Sequence, residues 1–327
     1  LLDILFGSMI LSIVLLVIGF VLLVYGADKL VEAASSIAVR LSIPNIVIGL
    51  TVVAFGTSAP ELAVNIIAAL NGSGAMVMAN VLGSNIFNIF VILGLCSIIF
   101  PLSVKSNTTW IEIPLCLLAA LLVGIIANDQ WLDGMGADVV SRSEGLVLIL
   151  FFAVFLVYNI MVSRNPGTAP EEVSVGQMSV VAAVFWLILG LGGLVLGGHL
   201  IVSNAVFIAQ SFGLSERVIG LTIVSIGTSL PELATSLAAV KKKKVDIAIG
   251  NVVGSNIFNI FLILGLSSTI FPVEVHQETL VDIFVNIAAA LLLFLFVFSG
   301  KGRMVERWEG SVFLALYLVY LTFLLAF

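Results

Sequence analysis

Charged side chains are scarce in this sequence: Lys, Arg, Asp and Glu make up 10% of its 327 residues, against about 25% in a soluble domain. That scarcity excludes a water-soluble globule of this size, which would need a polar coat the chain does not have. Histidine and cysteine are nearly absent, with two of each. His199 and His276 pair with neither a nucleophile nor a metal motif, which argues against an enzyme and against a bound cofactor. Cys96 and Cys116 both fall in apolar stretches and read as small buried hydrophobes, not as a disulfide or a metal pair. With 13 Lys and Arg against 19 Asp and Glu, no nucleic-acid partner is expected.

What the chain has instead is apolar length. Hydrophobic residues make up 61% of it and the mean hydropathy is +1.26. They come in runs of roughly 20, enough at about 1.5 Å per residue to cross a hydrocarbon layer of about 30 Å. Ten such spans lie near 8–40, 44–70, 76–100, 108–127, 143–162, 178–211, 215–240, 246–271, 279–299 and 309–327. Continuous runs, not short alternating ones, predict an all-α membrane protein of ten transmembrane helices. The stretch Ser8 to Tyr25 lacks a basic leading region and a small-residue cleavage site, so it reads as the first span and not as a signal peptide.

Basic residues set the expected orientation. Breaks after odd-numbered spans hold Arg40, Lys105, Arg164, Lys241 to Lys244, Lys301, Arg303 and Arg307. Breaks after even-numbered spans hold only Arg142 and Arg217, beside Asp129, Asp133, Asp138, Glu144, Glu274 and Glu278. The positive-inside rule puts the first group in the cytoplasm and both termini outside. The run Lys241–Lys244 is either an orientation signal or an anionic-lipid site.

The chain also repeats itself at a constant shift of 171 residues. Residues 49–95 and 220–266 share 26 identities in 47 positions, with GTSAPE answered by GTSLPE and GSNIFN repeated outright. Five spans separate the copies. Because five is odd, the second copy must cross in the opposite sense, which predicts two inverted five-helix repeats, 1–165 and 166–327. Secondary transporters use that plan, with the binding site at the repeat interface near the midplane.

Each copy interrupts its apolar spans twice. In Gly56-Thr57-Ser58-Ala59-Pro60-Glu61 and Gly227-Thr228-Ser229-Leu230-Pro231-Glu232, Gly loosens the backbone, Ser or Thr suits an N-cap, and Pro suits the first turn of a new helix. The reading is a helix broken at mid-membrane and restarted at Pro. Glu61 and Glu232 follow at once. A carboxylate at that depth costs about 2.5–3.5 kcal/mol or more and needs a partner. No Lys or Arg lies as deep in the assigned spans, which leaves a metal cation or a proton. The second interruption runs from Asn80 to Asn88 and from Asn251 to Asn259. There Ser84 and Asn88, like Ser255 and Asn259, share a helix face. Their neutral oxygens suit a cation shell, although such residues also glue helices together, and Asn85 and Asn256 fit either role. Asn65 and its counterpart Ser236 either line the same cavity or pack. Hard oxygen donors without thiolates or paired imidazoles favour Ca²⁺ or Na⁺.

GTSAPE with GSNIFN, and GTSLPE with GSNIFN, resemble the paired alpha-repeat motifs of the sodium/calcium exchanger branch of the cation/calcium antiporters, small prokaryotic type. The resemblance implies a Na⁺/Ca²⁺ antiporter, functional as a monomer, in a prokaryotic plasma membrane. It also implies a midplane cluster in which Glu61 and Glu232 are the principal ligands. Thr57, Ser58, Thr228 and Ser229 would add hydroxyl or backbone oxygens, Ser84 and Ser255 would hold Na⁺, Asn88 and Asn259 would sit at the centre, and the carbonyls of Ala54 and Ser225 would contribute. Some relatives carry Asp in place of Asn88 or Asn259; with Asn at both, no K⁺ co-transport is expected. The roughly 15 residues between the fifth and sixth spans leave no room for the calcium-sensing cytosolic domains of animal exchangers. The long first and sixth spans, rich in glycine at Gly19, Gly26, Gly190, Gly192, Gly193, Gly197 and Gly198, suit either sliding or close backbone contact. Proton/calcium exchange through the same glutamates, and a cation channel, are the rival readings.

Overall fold

The computed structural model describes residues 2–134, 137–163, 178–212, 225–299 and 302–326. Arg164, Arg217, Lys301, residues 215–224 of the seventh expected span and the expected boundary between the repeats lie outside them. The protein is almost wholly helical. The long helices are α1 (Leu2–Arg40), α2 (Asn45–Thr57), α3 (Ala59–Leu70), α4 (Gly74–Ile99), α5 (Thr108–Ile126), α6 (Arg142–Ser163), α7 (Val180–Ser211), α8 (Leu230–Lys241), α9 (Val245–Ile270), α10 (Thr279–Phe296) and α11 (Arg307–Ala326). Among the described residues seven helices are long and apolar enough to cross a membrane, and α2 with α3, bent by 48° at the break between them, makes an eighth.

The breaks fall where the sequence places them. Ser58 separates α2 from α3 with φ −82° and ψ 6°, and Ser229 separates the turn Ser225–Thr228 from α8 with φ −88° and ψ 6°. Pro60 and Pro231 stand in the first turns that follow, where a missing N–H costs nothing. The expectation of a side-chain N-cap fails at both: neither serine caps its helix, and both hydroxyls are used elsewhere.

Contacts recur in matched pairs. Strand β1 (Leu102–Ser103) pairs with β4 (Met304–Val305), and β2 (Val139–Val140) with β3 (Val273–Glu274), both antiparallel. β3 stands 171 residues after β1, but β4 stands 165 after β2, so the register of the repeat changes before the last helix of each copy begins. The same offset of 165 links Gly145, whose ideal Cβ would lie 2.7 Å from the Gly265 carbonyl oxygen, with Gly310, 2.6 Å from that of Gly94. α6 therefore packs on α9 as α11 packs on α4.

α1 and α7 form one close pair. A Cβ on Gly26 would lie 2.8 Å from the Gly190 carbonyl, and one on Gly197 would lie 2.7 Å from that of Gly19. Of the two roles open to these glycines, backbone contact is the one seen at these four and at Gly193; Gly192 has nothing within 4 Å. Cys96 and Cys116 are free and buried.

Candidate ion-binding site

The two breaks carry Glu61 and Glu232 into the interior, 2% and 1% exposed. Each carboxylate takes a hydroxyl from the other copy. Ser58 Oγ donates to Glu232 Oε1 at 2.9 Å, and Ser229 Oγ donates to Glu61 Oε1 at 3.3 Å. Ser255 joins the first group, donating to Glu232 Oε1 at 3.4 Å and lying 3.0 Å from Ser58 Oγ. Ser84 does not match it: its hydroxyl donates to Asn80 Oδ1 at 3.2 Å.

A second ring holds the first. Thr57 Oγ1 donates to Asn251 Oδ1 at 3.1 Å, and Thr228 Oγ1 reaches Asn80 Oδ1 at 3.5 Å. Asn251 Nδ2 donates to the Glu232 carbonyl at 3.3 Å and to Ser236 Oγ at 3.0 Å, while Asn65 Nδ2 donates to the Glu61 carbonyl at 2.8 Å. The Ala54 carbonyl accepts from the Thr57 hydroxyl at 3.3 Å and from the Ser58 N–H at 3.0 Å. Ser225 opens the turn before Ser229; its side chain lies outside the described ones.

Asn85 and Asn256 bind the two copies directly. Each donates its Nδ2 to the other's backbone carbonyl at 3.3 Å. Their side-chain oxygens then accept from Asn259 Nδ2 and Asn88 Nδ2, each at 2.9 Å. This fixes the orientation of the Asn88 and Asn259 amides. Asn88 and Asn259 also begin or enter π-helical turns, Asn88–Leu93 and Phe258–Leu264, the wider turn that often marks a functional position.

On the two glutamates and on Asn88 and Asn259, four acceptor oxygens are buried without a hydrogen-bond partner, Glu61 Oε2, Glu232 Oε2, Asn88 Oδ1 and Asn259 Oδ1; Asn65 Oδ1 in the second ring is also without one. Leaving such atoms unpaired in a low-dielectric interior is costly. The four comprise two carboxylate and two amide oxygens, hard donors that carry two formal negative charges and suit a cation.

Sequence reading missed Asn80 and Asn251 as connectors, although both are identical at the 171 shift and Asn80 stands one turn before Ser84. It also missed two acids held by tyrosines, Glu112, which is buried, and Asp282, which is half-buried. Tyr158 Oη donates to Glu112 at 2.6 Å and Tyr320 Oη to Asp282 at 2.7 Å. Each pair ties the fourth helix of a copy to its fifth.

The model of the family described as sodium/calcium exchanger protein matches residues 11–161 and 182–326. Inner membrane protein YrbG of Escherichia coli is 38% identical over 299 residues, 87% of this chain and 89% of that protein. Sodium/calcium exchanger MaX1 of Methanosarcina acetivorans is 32% identical, over 96% of this chain and 98% of its own. A solved structure of the sodium-calcium exchanger NCX_Mj, soaked with 10 mM Na⁺ and zero Ca²⁺, superposes with a TM-score of 0.83 at 34% identity, covering 96% of this chain and 99% of that one. This chain, an integral membrane protein, thus belongs to the sodium/calcium exchanger protein family, in its small prokaryotic branch.

Proposed function

We propose that the protein exchanges Na⁺ for Ca²⁺ across a prokaryotic plasma membrane by alternating access, at one site shared between its two copies. Membership of the family makes it a cation/calcium antiporter and not an enzyme. The specific ions rest on the donor set, and one observation carries the reading. Glu61 and Glu232 each present one oxygen to a serine of the opposite copy and leave the other buried without a partner, as Asn88 and Asn259 leave their side-chain oxygens.

In this reading Glu61 and Glu232 are the principal ligands of the transported ions. Ser58, Ser229, Ser255, Thr57, Thr228 and Ser84 complete the shell or orient it, with Asn88 and Asn259 at its centre and the Ala54 and Ser225 carbonyls at its edge. Ca²⁺ and Na⁺ compete because both need the same two carboxylates. An unloaded site leaves those charges uncompensated at low dielectric, which opposes closure and suppresses leak. The ten spans form two inverted repeats, 1–165 and 166–327, with both termini outside. The α1–α7 pair slides across the remaining helices, and one chain suffices for transport.

Proteoliposomes loaded with Na⁺, at clamped pH and voltage, are expected to take up Ca²⁺ down an outward Na⁺ gradient. Glu61→Gln and Glu232→Gln should each lower that flux by about 30-fold or more, since losing one buried charge from a paired group costs roughly 2–5 kcal/mol. Uptake driven by a proton gradient and indifferent to Na⁺ would replace this reading with proton/calcium exchange.

A further inference from the structure

The lysine run Lys241–Lys244 plays no part in the site above, yet it sits beside a cavity. α8 and α1 wall a cleft of about 750 Å³, lined along α1 from Val17 to Asp28 and along α8 from Ala234 to Lys241. Everything between is apolar or aromatic. The charged residues of the lining, Asp28 and Lys241, close the two rows at the same end, where Lys242 Nζ meets Asp28 Oδ1 at 2.7 Å. From Val17 to Asp28 the cleft runs roughly 16 Å along the helix, about half the hydrocarbon thickness, which is the depth of one leaflet.

The charges at that end do not cancel. Lys242 is balanced by Asp28 and Lys29 by Glu32, the latter at 3.0 Å. Lys244 is buried. Lys241 and Lys243 are exposed and make no ion pair among the described residues. Two positive charges therefore stand at the charged end of an apolar slot one leaflet deep, Lys241 in its lining and Lys243 in the turn that follows.

The other copy supplies an internal control. At the 171 shift the four lysines correspond to Leu70, Asn71, Gly72 and Ser73. Gly72 has φ +71°, and its counterpart Lys243 adopts the same left-handed turn at φ +56°. Glycine meets that requirement freely, whereas an L side chain is strained there. The turn thus asks for no lysine, and the second copy keeps one against the backbone's preference.

We propose that this cleft is a binding site for an anionic phospholipid, one acyl chain lying between α1 and α8 and the headgroup phosphate held by Lys241 and Lys243. Basic residues flanking a membrane helix attract such headgroups. The proposal concerns binding alone and stands or falls independently of which ion drives exchange.

The test uses the full chain reconstituted in phosphatidylcholine with a minority of photoactivatable phosphatidylglycerol, read by cross-link mapping and by lipid retention in native mass spectrometry. Labelling is expected within 17–28 and 234–241. Lys241→Gln with Lys243→Gly, the latter giving the turn its preferred residue, should lower phosphatidylglycerol retention about fivefold per charge. Val21→Trp, which fills the slot without touching a charge, should lower it as well. Inorganic phosphate in excess should not displace the lipid. Unchanged retention in the double lysine variant, equal labelling by a phosphatidylcholine probe, or displacement by free phosphate would each overturn the proposal.

Discussion

The pair α4 and α9 and the pair α1 and α7 belong to one fold and obey opposite rules. In the most apolar stretch of α9, 94% of positions are buried, and in α4 72%; in α1 and α7 the share is 22%. The exposed pair is nonetheless the more apolar of the two. In water, apolarity marks the inside of a protein; in a bilayer it marks the face turned to lipid, and the inside becomes the place for Asn, Ser and Glu. The buried polar residues Asn80, Ser84, Asn85, Asn88, Asn251, Ser255, Asn256 and Asn259 all sit on α4 and α9. α1 and α7 instead offer each other bare backbone at Gly19, Gly26, Gly190 and Gly197. One pair is built to hold a geometry and the other to be a smooth partner.

That contrast can be broken from either side. The largest effect after loss of a carboxylate should come from immobilising the α1–α7 pair. A reversible thiol cross-linker joining Asp28→Cys on α1 to Lys242→Cys beyond α8 should reduce exchange to background and release it on reduction; undiminished flux in the cross-linked protein would end the sliding mechanism. Next, Asn251→Ala removes the amide that holds the Glu232 carbonyl, the Thr57 hydroxyl and Ser236. Supporting groups of this kind are worth about 10–100-fold, so Ca²⁺ uptake should fall within that range while the protein stays monodisperse. Gly250→Val tests the core's tolerance, because a Cβ there would lie 2.8 Å from the Ile46 carbonyl and 2.9 Å from the Leu50 nitrogen. Overpacking of that kind costs about 1–3 kcal/mol, to be read as a lowered melting temperature in detergent. The smallest effect expected is none: with Asn at both 88 and 259, exchanging K⁺ for another monovalent cation at clamped voltage should leave the rate unchanged.

The duplicated Glu61 and Glu232 were legible because a charge in an apolar run is conspicuous and its repetition more so. The helix breaks were legible because Pro and Gly act locally. What lay beyond the sequence was the destination of each hydroxyl. Ser58 and Ser229 have the residue type and position of N-caps, and only the approach of the other copy decides that they turn outward to a carboxylate. Glu112 and Asp282 went unremarked because their tyrosine partners lie 46 and 38 residues away, with no motif linking them. The change of offset from 171 to 165 was hidden for a different reason: α6 and α11 keep only scattered likeness once they leave the motif, and packing at Gly145 and Gly310 reveals the match.

The crossed amides of Asn85 and Asn256 have one more consequence. Neither half of the chain can orient its own central oxygen, since Asn88 is held by Asn256 and Asn259 by Asn85. A half expressed by itself would carry every donor its sequence contributes and still leave its central amide unheld and its glutamate without the serine of the other copy. Competence arises only at the seam, so a split protein should regain transport when, and only when, its two pieces find each other in the same membrane.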